Sequence, residues 1–161
     1  KEADKKRVDI IERAHHEAVN RKKRIIAMAE LEARKKKLQS KQEVVEEAFS
    51  KALSSIINLP EKKYRAVLED LIVAAVTTGN EEVILSKKDS KRLGDSLIKA
   101  VNKRLKRNGM DAKVSLSQET RDIKGGFILK VGDIEVNNSF EAIIKMQRDT
   151  LEAEVVKVLF S

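Results

Sequence analysis

The first 57 residues of this chain contain neither Gly nor Pro. Ala, Glu, Lys, Arg, Gln and Leu dominate the stretch, and all of them are favourable in helices. Nothing interrupts the pattern, so the sequence predicts one continuous helix of roughly 85 Å at 1.5 Å per residue. A helix of that length, charged on most of its surface, cannot bury itself in a remaining domain of about 100 residues. It therefore needs a partner helix.

A partner-facing stripe can be sought by its period. A heptad frame through Ile11, Ala18 and Ile25 next meets Glu32 and Gln39, so it decays, whereas an eleven-residue frame from position 11 to position 47 stays apolar at seven of eleven positions. That period favours a straight or right-handed supercoil. The predicted interface residues are Ile11, Ala14, Ala18, Ile25, Ala29, Ala33 and Val44. The alternative is an amphipathic helix that folds back on its own domain.

The composition changes at Asn58-Leu59-Pro60, which divides the chain into a stalk-like helix over residues 1–58 and a globular domain over residues 59–161. Residues from about 59 onward are expected to fold without the long helix. Periodicity and turn residues predict, in order, a helix over 60–78, a strand over 82–86, a helix ending at Asn108-Gly109, strands over 112–117, 127–131 and 134–136, and a final helix from about Phe140. The fold class is α+β, with helices packed on a short, largely antiparallel sheet.

Turn and cap residues set the expected boundaries of these elements. Gly79 is predicted to stop the helix that starts at Pro60, and Asp89 or Ser90 to cap the next helix. The two-residue loop Gly132-Asp133 indicates a β-hairpin. Asn138, with a Glu three residues later, resembles a capping box at the start of the last helix.

Catalytic and metal-binding signatures are absent. The chain has no Cys, which excludes disulfides, thiol catalysis and Cys-ligated zinc and favours a reducing compartment. His15 and His16 are adjacent and so point about 100° apart on a helix, which prevents both from gripping one metal. The longest apolar run, over residues 71–76, is far short of the roughly 20 residues of a membrane span. No cofactor, metal or catalytic residue is therefore predicted.

The formal net charge is +8, and the positive charge is concentrated in two helices, with +5 over residues 1–58 and +7 over residues 87–107, while the remaining residues carry −4. The basic helix over 87–107 is a solvated face, a site for an acidic protein surface or a nucleic-acid contact, and electrostatics alone does not choose among these. No aromatic residue lies between Tyr64 and Phe127, which counts against a single-strand binder because such proteins stack bases on aromatic rings.

Three stretches of this sequence resemble a known family. Residues 29–38, with sequence AELEARKKKL and continuing to Phe49, are similar to the end of the long helix in E subunits of V/A-type ATPases. Residues 125–142, with sequence GGFILKVGDIEVNNSFEA, resemble the C-terminal signature of those subunits, and residues 155–160 resemble their closing helix. The signature positions are Gly125, Gly126, Asn137, Asn138, Phe140 and Glu141.

The resemblance implies a non-catalytic stator subunit on the cytoplasmic face of a membrane. Its long helix would pair with a G- or H-type stalk subunit in a right-handed coiled coil, its C-terminal domain would bind the catalytic head, and its N-terminal end would reach a membrane-sector subunit. Family members begin with a longer helix, so an N-terminal segment is expected to be missing here. Two alternatives are a stator-like regulator of a flagellar or type III export ATPase and a basic nucleic-acid-binding coiled-coil protein.

Overall fold

The structure, a computed structural model, describes residues 1–161. Helix α1 (Glu2–Ile57) runs for 56 residues without a break, as the absence of Gly and Pro predicts. The other elements are α2 (Glu61–Ala75), β1 (Glu82–Ser86), α3 (Lys87–Arg107), β2 (Ser115–Arg121), β3 (Gly126–Val131), β4 (Ile134–Ser139) and α4 (Phe140–Phe160). The predicted α+β fold class, a long N-terminal helix followed by helices on a small sheet, is confirmed.

The four strands form one mixed sheet in the order β2-β1-β3-β4. Strand β1 pairs in parallel with β2, and α3 provides the crossover that a parallel pair requires. The other two pairings are antiparallel, so the sheet is largely antiparallel as predicted. The loop Gly132-Asp133 closes the β3–β4 hairpin, with Val131 opposite Ile134 and a φ of 58° at Gly132. A positive φ at the first loop residue alone is typical of a type II′ turn.

Helices α2 and α3 pack against one face of this sheet. Their buried side chains recur at helical spacing, as Tyr64, Leu68 and Ile72 do on α2, and they meet alternate strand residues such as Val83 and Leu85. The last turns of α1 also contribute, because Leu53, Ile56 and Ile57 are partly buried against the same core.

The opposite face of the sheet carries Ile84 and Ile128, which are paired across β1 and β3 and are both buried. Arg121 on β2 forms an ion pair of 3.0 Å with Glu135 on β4, at the other edge of the sheet. Strands β1 and β3 lie between those edges, so the two side chains reach toward each other across the face that carries these isoleucines. The aliphatic stems of the bridging residues thus shield apolar surface that the helices do not cover.

Contacts divide the chain into two compact units, Lys1–Glu46 and Glu47–Ser161. The last eleven residues of α1 therefore belong to the second unit, which holds the whole sheet. The division at 58 and 59 expected from the sequence stays a prediction about independent folding.

The N-caps of α3 and α4 are serines that the sequence analysis did not select. Helix α3 is capped by Ser86, not by Asp89 or Ser90, because its hydroxyl accepts the Asp89 N–H at 3.1 Å. Helix α4 is capped by Ser139, whose hydroxyl accepts the Ala142 N–H at 3.3 Å. Asn138 is therefore not the cap of α4. In both helices the serine is the last strand residue, so strand and helix adjoin without a loop.

Several further boundaries differ from the prediction, and strands β2 and β4 continue to Arg121 and Ser139 instead of ending at residues 117 and 136. Helix α2 ends at Ala75 and Gly79 lies in the following loop, because the Glu81 carboxylate accepts the N–H groups of Thr77 and Thr78 and holds this backbone outside the helix. Strand β2 begins at Ser115 and not at residue 112, since its pairing with β1 starts where Glu82 meets Ser115.

Candidate functional site

The predicted interface stripe lies on the exposed surface of α1. Ile25 is 58% exposed, Ile11 and Val44 are also exposed, and so are the four predicted alanines. Exposed β-branched side chains at this density are a cost in water unless another surface covers them. The structure thus places all seven residues where a partner could reach them, and their role in binding stays a prediction.

The eleven-residue frame missed a second group of exposed apolar side chains on α1. Met28 is 71% exposed, Leu31 and Leu38 are similarly exposed, and Met28 and Leu31 line a shallow apolar depression together with Ile25 and Ala29. A heptad count started at position 28 would have found them, because it meets Met28, Leu31 and Leu38 at its first, second and fourth positions. Helix α1 therefore offers a broader apolar surface than one narrow stripe.

The double glycine of the C-terminal signature occupies a crowded corner. A Cβ at Gly125 would lie 2.8 Å from the Tyr64 hydroxyl and 2.9 Å from the Phe140 ring. Gly126 has a φ of 85°, and a Cβ there would lie 2.6 Å from the Asn138 carbonyl oxygen. Both positions need glycine because other chain segments approach within contact distance.

The remaining signature residues hold the junction between β4 and α4. The Asn137 side chain accepts the Ser139 N–H at 2.9 Å, and Asn138 donates to the Val136 carbonyl at 3.3 Å. Glu141 accepts the Lys124 N–H at 3.2 Å, so it ties the loop before β3 to α4. Phe140 is buried, and its ring meets Tyr64 edge to face at 6.0 Å. These contacts give all six signature positions a structural role in one corner.

A buried polar network lies beside that corner. The Asp89 carboxylate accepts hydrogen bonds from the hydroxyls of Tyr64 at 2.9 Å and Ser86 at 3.0 Å. Arg92 lies 3.6 Å from the same carboxylate and stacks its guanidinium over the Tyr64 ring. Burial, followed by the negative charge of Asp89, raises the pKa of the Tyr64 phenol well above its usual range. Tyr64 thus stays a hydrogen-bond donor, and the network fixes α2 against the start of α3.

Glu81 is the second buried carboxylate. Burial by itself would raise its pKa, but hydrogen bonds from the backbone N–H groups of Thr78 and Thr77 outweigh burial and lower the pKa to about 2. The charged form is therefore the one that the fold requires. Its role is to organise the loop between α2 and β1.

We expect Glu81→Gln to lower the free energy of unfolding by about 1–2 kcal/mol at pH 7, because a neutral amide accepts the two N–H groups less strongly. The pKa of Glu81 is lower in the folded chain than in the unfolded chain, so its contribution is complete above about pH 4.5 and is lost as the pH falls toward 2. Urea unfolding of both proteins between pH 2 and 7 measures this difference. A gap that stays constant across that range would contradict the assignment, and exposed Glu154→Gln is the control.

The outer face of α3 is basic. Lys88, Lys91, Lys99, Lys103 and Lys106 are exposed along it. Two arginines of the helix are engaged instead: Arg104 forms an ion pair with Asp70, and Arg92 lies 3.7 Å from Glu61. The lysine row is thus directed to solvent, as are Lys87 and Arg107 at the two ends of the helix.

No group of three or more His, Cys, Asp or Glu residues is placed to hold a metal ion. His16 lies 3.1 Å from the Asn20 amide on the exposed face of α1, which is an ordinary contact one turn apart. None of the helices combines the length and the apolar character needed to cross a bilayer.

Comparison with known proteins identifies the family to which the sequence is similar. A family model described as "ATP synthase (E/31 kDa) subunit" matches residues 1–160. The E subunit of a V-type ATP synthase from Acetivibrio thermocellus is 55% identical over 103 residues, which cover 64% of this chain and 52% of that protein. This chain thus aligns with about half the length of that relative.

Two other relatives align over more of the chain. The E subunit of a V-type proton ATPase from Clostridium botulinum is 39% identical over 145 residues, which cover 90% of this chain and 73% of that protein. The protein of the same description from Thermoanaerobacter pseudethanolicus is 41% identical over 126 residues, which cover 78% of this chain and 63% of that protein.

Proposed function

Because the chain belongs to the family of ATP synthase E subunits, we propose that it is a non-catalytic peripheral-stalk subunit of a V/A-type rotary ATPase. It acts as a stator, linking the catalytic head to the membrane sector and resisting rotor torque while protons or sodium ions are moved. The single observation that supports this role most is the exposed apolar surface of α1. A helix with such a surface and no chemical site fits a protein-binding strut better than an enzyme.

The partner of α1 in this proposal is the helix of a G- or H-type stalk subunit. Four of the seven predicted interface residues are alanines, so two backbones could approach closely while burying little area per turn. Such a pairing is weak per residue and gains its strength from length. The larger exposed side chains, Met28 and Leu31, would add apolar area next to Ala29.

The C-terminal domain binds the catalytic head, and the N-terminal end reaches a membrane-sector subunit. The complex then places this chain on the cytoplasmic face of the membrane, without inserting it. The lysine row on α3 is available for an acidic surface of the head, because those side chains are exposed.

We expect Ala29→Glu to weaken binding of the G/H-type partner by about 1–3 kcal/mol, because it places a charge in the predicted seam beside Ile25 and Met28. Calorimetric titration of the full chain with the partner measures the loss. Unfolding of the free chain should change little, since Ala29 is exposed.

The matched control is Ala27→Glu. Ala27 is also exposed on α1, and two residues of helix turn it about 200° away from Ala29. Its substitution should change the affinity by less than about 0.5 kcal/mol. Equal losses from the two variants would exclude this face as the interface, and no measurable affinity of the unmodified chain for any such partner would refute the proposed stalk role.

A further inference from the structure

We propose that the outer edge of β4 accepts an extended segment of another subunit of the complex as a fifth strand of the sheet. This inference rests on the proposed function, because the strand comes from a subunit that the chain meets during assembly. Strand β4 is the last in the sheet order, and no backbone hydrogen bond outside its ladder with β3 engages residues 134–138. One side of its backbone is therefore open.

The hairpin geometry identifies which backbone groups are open. In a two-residue hairpin the residues flanking the loop form a hydrogen-bonded pair, and the pairs then alternate along the ladder. Val131–Ile134 and Leu129–Val136 are such pairs. The N–H and C=O groups of Glu135 and Asn137 must then point away from β3, toward the open edge. Four main-chain groups at strand spacing select an extended strand as their partner.

The side chains of β4 indicate the sequence of that strand. Ile134 is 68% and Val136 is 52% exposed, and both lie on the same face as the buried Leu129. Glu135 and Asn137 lie on the other face, where Glu135 pairs with Arg121. A strand that alternates apolar and polar residues would extend the apolar face beside Val136 and leave the polar face in water.

A second copy of this chain does not fit the edge. The open groups belong to only two residues, whereas a stable interface takes about 20–30 residues from each side. Two copies joined by this edge alone would separate. A subunit that already contacts this chain elsewhere can add the strand as part of a larger interface. Exposed edges usually carry charged side chains, especially lysine, or a proline or a bulge as protection. Strand β4 has no lysine, proline or bulge, and its one charged residue, Glu135, is engaged by Arg121.

The first test is amide hydrogen exchange of the full chain, free and within the assembled rotary ATPase. The amides of Glu135 and Asn137 should exchange at least tenfold more slowly in the complex, while the amide of Val136, which faces β3, is protected in both. If the chain is present in the complex and these two amides exchange as fast as in the free chain, the inference is overturned and the proposed function stands. If the chain does not enter the complex, both fail.

The second test removes one open donor. Glu135→Pro deletes an N–H that β3 does not use, and proline is tolerated on the outer side of edge strands. Glu135→Ala is the matched control, because both variants lose the ion pair with Arg121. Incorporation of each variant into the complex, in competition with the unmodified chain, should be about tenfold lower for Pro than for Ala. Equal incorporation of two folded variants would show that the strand edge is not used.

Discussion

Gly126→Ala is expected to lower the free energy of unfolding by about 3–5 kcal/mol. The φ of 85° at this residue is unfavourable for a residue with a Cβ. The new Cβ would also meet three backbone atoms, Asn138 O at 2.6 Å, Ser139 Cα at 2.7 Å and Phe140 N at 2.8 Å. Backbone cannot turn aside as a side chain can, so the end of β4 and the start of α4 must both move. Urea unfolding of the variant measures the loss.

Gly109→Ala is the matched control for this substitution. Gly109 has nearly the same φ, 83°, but no atom lies within 4 Å of its hypothetical Cβ. Its replacement should therefore cost only the backbone term of about 1–2 kcal/mol. Equal losses at the two positions would show that strain, and not the close approach of β4 to β3, explains the second glycine of the signature.

The second large effect concerns the end of α1. We expect the fragment 47–161 to be more stable than the fragment 59–161 by about 3–5 kcal/mol, because the shorter fragment lacks Leu53, Ile56 and Ile57, which pack against the core. Thermal and urea unfolding of the two fragments compare them directly. Equal stability would mean that these contacts contribute nothing and that a division at residues 58 and 59 is also the physical one.

Point variants of the full chain separate the apolar contribution from helix length. Leu53→Ala should lose about 1–2 kcal/mol because the side chain is only partly buried. Ser54→Ala changes the neighbouring exposed residue and should stay within about 0.5 kcal/mol. Because alanine has the highest helix propensity, propensity cannot explain a loss in either variant, and a similar loss in both would contradict packing of Leu53 as the cause.

The sequence predicted the elements that periodicity and turn residues define. Strand β1 matches its predicted bounds of 82–86, the hairpin closes at Gly132-Asp133, and the order of elements after residue 59 is as predicted. Helix α1 is also confirmed, since 57 residues rich in helix formers and without Gly or Pro contain nothing that interrupts a helix. These features depend on short-range patterns, which a single sequence records directly.

Features that depend on contacts between distant segments were missed. Ser86 caps α3 because it ends a strand that β2 and β3 hold in place, and Asp89 is drawn instead into the buried network with Tyr64. Strand β2 has the polar sequence SLSQETR, so its bounds follow from pairing with β1 and not from alternation. Glu81 ends α2 from outside that helix, by accepting N–H groups that would otherwise continue it.

The sequence pattern identified only part of the exposed apolar surface of α1. An eleven-residue frame selected Ala29 and Ile25 but overlooked Met28 and Leu31, because these two follow a seven-residue count that begins inside the helix. Because apolar residues on α1 follow both an eleven-residue and a seven-residue repeat, the sequence alone does not determine which face of the helix a partner would contact. The seven predicted interface residues consequently stay predictions until binding is measured.

The ion pair between Arg121 and Glu135 makes the face of the sheet that carries it less prone to nonspecific adsorption. Ile84 and Ile128 would make this face of the sheet adhesive if it carried no charge, but the ion pair lies on the same face and its charged groups are hydrated. A molecule that adsorbs on that face would first have to displace the water around the ion pair, and dehydration is costly for ionised groups. On this face of the sheet, nonspecific association is therefore less favourable than at the open backbone edge of β4.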